Sequence, residues 1–265
     1  MDWSKTKTIF IAVFLVLDIF LAVMFFNKYG ASRFEVIKAT TIEEKLQLDG
    51  VKYEKMPADS GERSIIAAKP RIFSKNALFF LTKQQWSIKK EGTLIESVLD
   101  KPYDTDGAAH EKLNSFVKNN VFQGGEYAYW KRNRDEKTII YYQKIENKKL
   151  FKNVYGMLTI KLNEEENIVG YSQTMLESVE ENRNEEAILP ALEALDALYK
   201  NGLIQPGSEI SSAELGYYTL VQFNESQSLQ MLSPTWYFQL EQGDEIEEVY
   251  VNAFNGTIYP TEKES

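Results

Sequence analysis

An almost unbroken apolar run near the N-terminus constrains the fold of this chain more than any other stretch. Residues 9–26 read IFIAVFLVLDIFLAVMFF, and seventeen of these eighteen residues are apolar. A helix of this length rises about 27 Å, close to the ~30 Å hydrocarbon core of a bilayer. Its Ile, Leu, Val and Phe residues favour insertion by roughly 5 kcal/mol, against about 3 kcal/mol for the central Asp18. The sequence therefore predicts a transmembrane helix over residues 9–26.

Asp18, at the centre of this run, has two interpretations. Either the segment only anchors the chain and tolerates the carboxyl group, or Asp18 marks a contact with another helix, because intramembrane carboxylates usually face a partner or a polar cavity. At helical spacing Asp18 shares a stripe with a small residue one turn away, which lets a second helix approach closely. The sharper hypothesis is a transmembrane partner interface formed by Ile11, Leu15, Asp18 and Ala22.

The flanks of the run favour an uncleaved signal anchor over a cleaved signal peptide. The run is too long for the apolar region of a signal peptide, and the following NKYGAS (27–32) offers no A-x-A-type cleavage site. Lys5 and Lys7 precede the span while Lys28 and Arg33 follow it, so positive charge alone is nearly balanced. A short tail before a large domain favours a single-pass protein of the cell membrane, with a cytoplasmic N-terminus and an extracellular C-terminal domain.

The order of these segments gives the predicted domain organisation. The part after the apolar run is long enough for one large or two small domains with cores of their own. We predict a cytoplasmic tail at residues 1–8, the transmembrane helix at 9–26, a linker at 27–36, a first extracytoplasmic lobe at 37–176 and a second at 177–265.

Charge and cysteine content exclude several classes of function. The chain carries a net charge of −9, whereas binding to nucleic acid requires clustered Lys and Arg, so we expect no nucleic-acid partner. The same acidic charge predicts repulsion from anionic lipid head groups. The absence of cysteine excludes disulfides, thiol catalysis and cysteine-based metal sites.

A succession of helix, strands, polar stretch and hairpin occurs twice, over residues 109–175 and 190–258. The first begins with apolar residues at helical spacing from Ala109 to about Asn120, and the second with a helix near Pro190. In each hairpin the apolar residues alternate, which turns one face toward a helix. These residues are Leu158, Ile160 and Leu162 in the first hairpin and Trp236, Phe238 and Leu240 in the second. We predict an α+β fold with two lobes of helices on antiparallel sheets.

Three shorter patterns predict further elements. The sequence TIEE at 41–44 is a capping box that opens a helix through Leu48. The sequence ALFFLT at 77–82 has the composition of a strand. Residues 177–186 are acidic and polar and are expected to form a connector.

Apart from 39 acidic residues, among which no spacing singles out a pair, the chain has few residues able to support catalysis or metal binding. His110 is the only histidine and lies at the start of a predicted helix, where a solvent-exposed side chain is expected. The chain has no G-x-S-x-G elbow, no glycine-rich phosphate loop and no EF-hand calcium loop. We therefore predict that the protein is not an enzyme and that it has no catalytic residues, no metal site and no cofactor.

The sequence YWKRNR at 129–134 concentrates basic and aromatic residues in an otherwise acidic domain. It is either a strand that runs into a solvated turn or a contact for the acidic surface of a partner. The second interpretation gives a candidate partner interface in the ectodomain, formed by Trp130, Lys131, Arg132 and Arg134.

The opening MDWSKTKTIFIAVFLVLDIFL, with Asp18 inside the span, resembles the N-terminus of the YycI family. The resemblance continues in ELGYYTLVQ (214–222) and in SPTWYFQLEQGDEIEEVYVNAFNGTI (233–258), and it covers essentially the whole chain. The terminal hairpin taken alone is PepSY-like, a pattern found in many exported domains. The resemblance thus implies a fold related to the C-terminal domains of YycH.

For function, the resemblance implies regulation. YycI proteins are single-pass membrane proteins that act with the related protein YycH on the sensor histidine kinase (WalK/YycG) of the WalKR (YycFG) two-component system, which governs cell-wall metabolism. Contact is attributed largely to transmembrane helices, and the family has no described catalytic residues. The expected partners are a YycH-like protein, a WalK/YycG-type kinase and membrane lipid. The alternative is an exported PepSY-like binding or inhibitor module with a passive membrane tether.

Overall fold

The computed structural model of this chain describes residues 41–107, 109–181, 184–219, 229–243 and 245–260, with only the main chain described for 178–181. In the N-terminal region it describes residues 3, 7, 14–15, 17–22 and 24, all of them helical. The chain falls into two compact units, Met1–Lys45 and Leu46–Ser265.

From residue 41 onward, the described residues form four α-helices and sixteen strands. The helices are α1 (Ile42–Leu48), α2 (Lys75–Leu78), α3 (His110–Asn120) and α4 (Ala191–Lys200). The strands are β1 (Lys52–Tyr53), β2 (Glu62–Arg63), β3 (Ile66–Pro70), β4 (Gln84–Lys89), β5 (Leu94–Tyr103), β6 (Tyr127–Asn133), β7 (Thr138–Ile145), β8 (Lys148–Phe151), β9 (Met157–Leu162), β10 (Ile168–Gln173), β11 (Leu176–Glu181), β12 (Glu186–Ala187), β13 (Glu209–Thr219), β14 (Gln230–Gln242), β15 (Glu245–Asn252) and β16 (Ile258–Tyr259). Short 3₁₀ turns lie at Lys90–Gly92 and Gly124–Glu126.

The ends of two helices follow from their capping residues. The Thr41 hydroxyl accepts a hydrogen bond from the Glu44 amide, and the Glu44 carboxylate accepts one from the Thr41 amide, both at 3.3 Å. The capping box predicted before α1 is therefore confirmed. Helix α4 begins directly after Pro190 and is followed by Gly202 at a φ of +71°, a left-handed conformation that glycine adopts without steric cost.

Fourteen strands join into one mostly antiparallel sheet. The main order is β11-β3-β14-β13-β8-β7-β9-β10-β5-β4, with β6 beside β7, β1 beside β13, β15 beside β14 and β16 beside β15. This sheet has two halves: the first contains β4, β5, β6, β7, β9 and β10, and the second contains β1, β3, β11, β13, β14, β15 and β16. Strand β8 connects them, because it pairs antiparallel with β7 and parallel with β13. The parallel contact requires Gly216, where a Cβ atom would lie 2.3 Å from the Phe151 ring and 2.5 Å from the Lys149 carbonyl oxygen.

Each half of the sheet has a buried apolar face. In the first half, Leu113, Phe116 and Val117 of α3 share one core with the predicted hairpin residues of β9, of which Leu158 and Ile160 are fully buried. In the second half, the predicted face of β14 is fully buried at Trp236, Phe238 and Leu240. The indole N–H of Trp236 donates to the Leu189 carbonyl just before α4, at 2.8 Å. The buried faces predicted for both hairpins and the α+β class are confirmed, but the opposite face of β14 is buried as well, at Ser233, Thr235 and Tyr237.

The strand predicted at residues 77–82 is wrong. Leu78 ends α2, and both Leu78 and Leu81 are buried in the first core, while Phe79 between them is 79% exposed. Two inward side chains three residues apart fit a helical turn and not a strand, in which side chains alternate. The composition of this stretch is that of a strand, but the inward contacts of Leu78 and Leu81 decide its conformation.

The strand pairing also revises the predicted connector at 177–186. Strand β11 occupies its first half and, among the described strands, pairs with β3 alone, so this acidic segment forms an edge strand, where charge is tolerated. Strands β1 and β3 come from before residue 176 and pair with β13 and β14, so the two halves share strands. The lobe boundary at 176/177 stays a prediction.

Candidate functional site

The proposed transmembrane stripe is described at three of its four positions. Leu15, Asp18 and Ala22 lie on helical backbone with exposed side chains, and their spacing places them on one face of that helix; Ile11 lies outside the described residues. The neighbouring apolar side chains are exposed as well, with Phe20 at 57%. The structure therefore gives the described part of residues 14–24 a helical conformation with an uncovered apolar surface.

Among the described residues, none of the helices combines the length and the apolar character needed to cross a bilayer. The transmembrane helix over residues 9–26 stays a prediction.

Five aromatic residues, which we call the aromatic junction, join the two halves of the sheet: Trp130, Tyr142, Phe151, Tyr237 and Tyr250. The ring of Trp130 lies 5.2 Å from Tyr142, 5.5 Å from Phe151 and 4.7 Å from Tyr237, measured between centroids. Tyr250 lies 5.4 Å from Tyr237 and 5.6 Å from Phe151. Because Trp130 and Tyr142 come from β6 and β7 and the last two tyrosines from β14 and β15, these contacts connect the halves directly.

A charged pair lies against the aromatic junction. The Lys149 ammonium group lies 5.3 Å from the centre of the Trp130 ring and 2.7 Å from the Glu214 carboxylate. The ammonium group is thus attracted by the face of the ring and by a carboxylate of β13. Lys149 belongs to β8, so the same short strand supplies a ring and a cation to the junction.

The phenols of the aromatic junction are deeply buried. Burial raises the pKa of both Tyr237 and Tyr250, and the nearby Glu248 carboxylate raises both further. The Lys152 ammonium group lies 3.4 Å from Glu248 and 5.3 Å from the centre of the Tyr250 ring. Both phenols are therefore protonated throughout the physiological pH range.

The predicted ectodomain interface divides into internal and surface residues. Trp130 belongs to the aromatic junction, and Arg132 forms an ion pair with Glu166 in the turn between β9 and β10. The Trp130 indole N–H and the Arg132 Nε are buried without a hydrogen-bond partner among the described residues. Lys131 is half-buried, and Arg134 is exposed. The arrangement leaves Arg134 as the member of this cluster that is most accessible to a partner.

A groove of about 450 Å³ lies beside the seam between the halves, and we call it the junction groove. Ile66, Ile145 and Leu176 supply apolar lining, whereas Arg71, Lys144, Glu126 and Glu146 supply two positive and two negative charges. The Tyr217 hydroxyl donates to the Glu146 carboxylate at 2.8 Å. A groove with both signs of charge and an apolar lining is suited to an extended peptide or another zwitterionic ligand.

Gln143 fixes one side of the junction groove. Its amide nitrogen donates to the Leu176 carbonyl oxygen at 2.8 Å, and its amide oxygen accepts from the Leu176 N–H at 2.7 Å. The side chain is 6% exposed, so these two bonds satisfy the first backbone groups of β11 in a buried environment. Sequence reasoning missed this contact, because nothing near Gln143 indicates a partner thirty-three residues away.

His110, the only histidine of the chain, lies at the surface. His110 is exposed at the start of α3, with its ring 4.2 Å from that of Tyr129. Within the part of the chain that the structure describes, no three His, Asp or Glu residues are grouped closely enough to hold a metal ion. The described geometry therefore supplies surfaces for contact.

Comparison with protein families identifies a match over most of the chain. The model described as YycI protein matches residues 31–254. A search of curated proteins found no match.

Three solved structures are similar in fold, each at 12% identity. An uncharacterized protein from Eubacterium rectale has a TM-score of 0.50, and the match covers 81% of this chain and 92% of that one. The YpeB C-terminal domain of Bacillus megaterium has a TM-score of 0.41, with coverage of 72% and 98%. YycH from Bacillus subtilis has a TM-score of 0.42, with coverage of 79% of this chain and 54% of YycH.

Proposed function

This chain belongs to the YycI family, and from that membership we propose that it is an accessory regulator of a WalK/YycG-type sensor histidine kinase. It acts with a YycH-like partner and performs no chemistry of its own. The observation that carries this proposal is the family match over residues 31–254. Its output is a change in kinase activity, and through the kinase a change in cell-wall metabolism.

The transmembrane helix is the proposed site of contact with the kinase or with the YycH-like partner. In support, Leu15, Asp18 and Ala22 are exposed on one helical face, and a carboxyl group within lipid gains most from a hydrogen-bonding partner helix. Packing that differs between the kinase states by about 1–3 kcal/mol shifts the balance of those states about 5- to 150-fold. The chain then regulates by preferring one packing arrangement of its neighbour.

The proposed location is the cell membrane, crossed once by residues 9–26, with the N-terminus in the cytoplasm and the compact unit outside. The length and apolar character of the segment support the crossing. The large folded unit that follows it supports the orientation. In the ectodomain, Arg134 and Lys131 offer positive charge to an acidic surface of the YycH-like partner, while Trp130 and Arg132 hold the strand that presents them.

Co-purification from solubilised membranes tests the proposal. The tagged full chain is expected to recover both a sensor histidine kinase and a YycH-like protein. A second chain, in which an unrelated apolar span replaces residues 9–26, is expected to reach the membrane and to lose the kinase. Failure of the wild-type chain to recover either protein would contradict the proposed function.

The junction groove favours a second candidate function, that of an exported PepSY-like binding or inhibitor module whose anchor only tethers it. Its volume of about 450 Å³ and its mixed charges fit a ligand-binding domain. The exchanged span separates the two functions, because a passive tether keeps full activity when its sequence is replaced. Full retention of kinase regulation by that variant would favour the binding module.

A further inference from the structure

Three exposed apolar side chains form one corner of the compact unit, which we call the apolar corner: Ile72, Phe79 and Phe80. Their exposed fractions are 58%, 79% and 47%. Phe79 and Phe80 lie between Leu78 and Leu81, which are both buried in the first core, and Phe79 points outward. Large apolar side chains grouped in this way mark an interaction surface.

The contacts around Phe122 make the corner continuous. The Phe80 ring lies 6.2 Å from the Phe122 ring, and the Arg71 guanidinium group lies 5.1 Å from the centre of the same ring. Ile72 follows Arg71 and lies against Gly92, where a Cβ atom would come within 2.8 Å of the Ile72 Cγ2 atom. Ile72, Arg71 and Phe80 therefore belong to one surface that ends at the Lys90–Gly92 turn.

The charge of this corner is opposite to that of the whole chain. Residues 69–92 carry six Lys or Arg residues and a single acidic residue, in a chain of net charge −9. Lys69 and Arg71 lie near the Glu177 carboxylate. The exposed cations Lys75, Lys83, Lys89 and Lys90 have no ion pair among the described residues.

We propose that the apolar corner docks onto the surface of an anionic lipid bilayer, with Phe79 and Phe80 entering the interfacial region. Exposed aromatic and aliphatic side chains among lysines are the pattern of a membrane-surface contact, in which apolar burial and attraction to anionic head groups act together. Acidic residues more than about 8 Å from the corner act weakly on it, because charges that far apart are largely screened at physiological salt. The repulsion expected from the net charge of −9 therefore does not decide the behaviour of this corner, where Glu91 and Glu177 are the acidic residues. The inference goes beyond the proposed function and needs no protein partner.

The absence of cysteine allows a direct test on the full chain. An Asn76→Cys variant places a polarity-sensitive fluorophore on exposed α2 without altering the corner, and Val154→Cys places it on a matched exposed loop. Each labelled chain is reconstituted into phosphatidylglycerol vesicles that contain lipids brominated in their acyl chains. We expect at least twofold stronger quenching at position 76 than at position 154.

Two sets of substitutions identify the source of the quenching. The double variant Phe79→Ser and Phe80→Ser is expected to abolish the excess quenching at position 76. The triple variant Lys75→Gln, Lys89→Gln and Lys90→Gln is expected to reduce this quenching to the level measured with phosphatidylcholine vesicles. These side chains are exposed, so the circular dichroism of both variants is expected to match that of the parent chain.

Several outcomes would overturn the inference. Equal quenching at positions 76 and 154 would show that the corner does not approach lipid. If the chain still floats with the vesicles in that case, the proposed membrane anchor stands and only this inference fails. Failure of the full chain to float with anionic vesicles would overturn the inference together with the anchor. Protection of position 76 from aqueous iodide only when the kinase or the YycH-like protein is added would assign the corner to a protein partner.

Discussion

Trp130 of β6 and Tyr237 of β14 meet edge to face, with ring centroids 4.7 Å apart and ring planes at 68°. The two residues are 107 positions apart in the chain and belong to different halves of the sheet. Strand β8 joins the same halves through its backbone, and its Phe151 packs on both rings. The aromatic junction and strand β8 therefore hold the two halves together, so a partner that binds one half also contacts a structure joined to the other.

Removing the Trp130 ring tests this arrangement. Trp130→Ala is expected to lower the free energy of unfolding by about 3 kcal/mol, because it leaves a cavity beside Tyr142, Phe151 and Tyr237. Urea unfolding followed by circular dichroism measures the change. Phe79→Ala is the matched control, since Phe79 is 79% exposed and its loss is expected to cost under about 0.5 kcal/mol. Equal losses from the two variants would show that the ring contributes nothing to joining the halves.

Gln143 gives a second prediction. Gln143→Leu keeps the side chain's approximate size but leaves the Leu176 N–H and C=O without their partners, at an expected cost of about 2–4 kcal/mol. Hydrogen exchange at the Leu176 amide is expected to accelerate more than exchange in β9. Gln85→Leu, at an exposed position of the edge strand β4, is the control and is expected to change stability little. Unchanged protection at Leu176 would contradict the role given to Gln143.

Arg132 is expected to stabilise the fold, whereas Arg134 is expected to contact the YycH-like partner. Arg132→Gln removes the ion pair with Glu166 and is expected to cost up to about 1 kcal/mol of stability. Arg134→Gln is expected to leave stability unchanged and to weaken recovery of the YycH-like partner, more strongly at low salt. Thermal unfolding and quantitative co-purification measure the two effects. If Arg134→Gln recovered the partner as well as the wild-type chain did, the ectodomain interface predicted from the sequence would be wrong.

The buried phenols predict a loss of stability in alkali. Tyr237 and Tyr250 have pKa values raised above the value of about 10 expected in the unfolded chain, mainly by burial. Their contribution is fully present below about pH 10 and is lost as pH rises toward the folded-state values, since the unfolded chain releases these protons first. Tyrosinate absorbance from these residues is expected to appear together with loss of near-ultraviolet dichroism. Tyr237→Phe is expected to make stability fall less steeply with pH, and an unchanged slope would contradict this assignment.

Local sequence patterns predicted the parts of this fold that depend on interactions between residues close together in the chain. The capping box at Thr41 and Glu44 and the helix up to Asn120 depend on neighbours within a few residues. Alternation in β9 likewise identified its buried face, and alternation in β14 identified one of its two buried faces, since Tyr237 on the opposite face is buried as well.

The features that sequence reasoning missed depend on distant partners. Strand β8 contains the sequence KKLF and follows a turn in which Glu146 and Asn147 both have positive φ, at +50° and +61°, without the glycine that marks such turns. Strand β11 is acidic and was predicted as a connector, but it lies at an edge of the sheet, where charge is tolerated. The role of Trp130 in the core was hidden because its ring partners come from β7, β8 and β14. The residues of the predicted ectodomain interface were adjacent in sequence, yet the fold uses two of them internally.

Crosslinking at the proposed transmembrane face tests whether one side of this helix contacts the kinase or the YycH-like protein. Asp18→Cys and Leu17→Cys are introduced separately into the cysteine-free chain, and crosslinks to the kinase and the YycH-like protein are measured in native membranes. The two positions are about 100° apart around a helix, so only position 18 lies on the stripe with Leu15 and Ala22. We expect strong crosslinking from position 18 and little from position 17. Equal crosslinking from both positions, or none from position 18, would show that this face of the helix is not a partner interface.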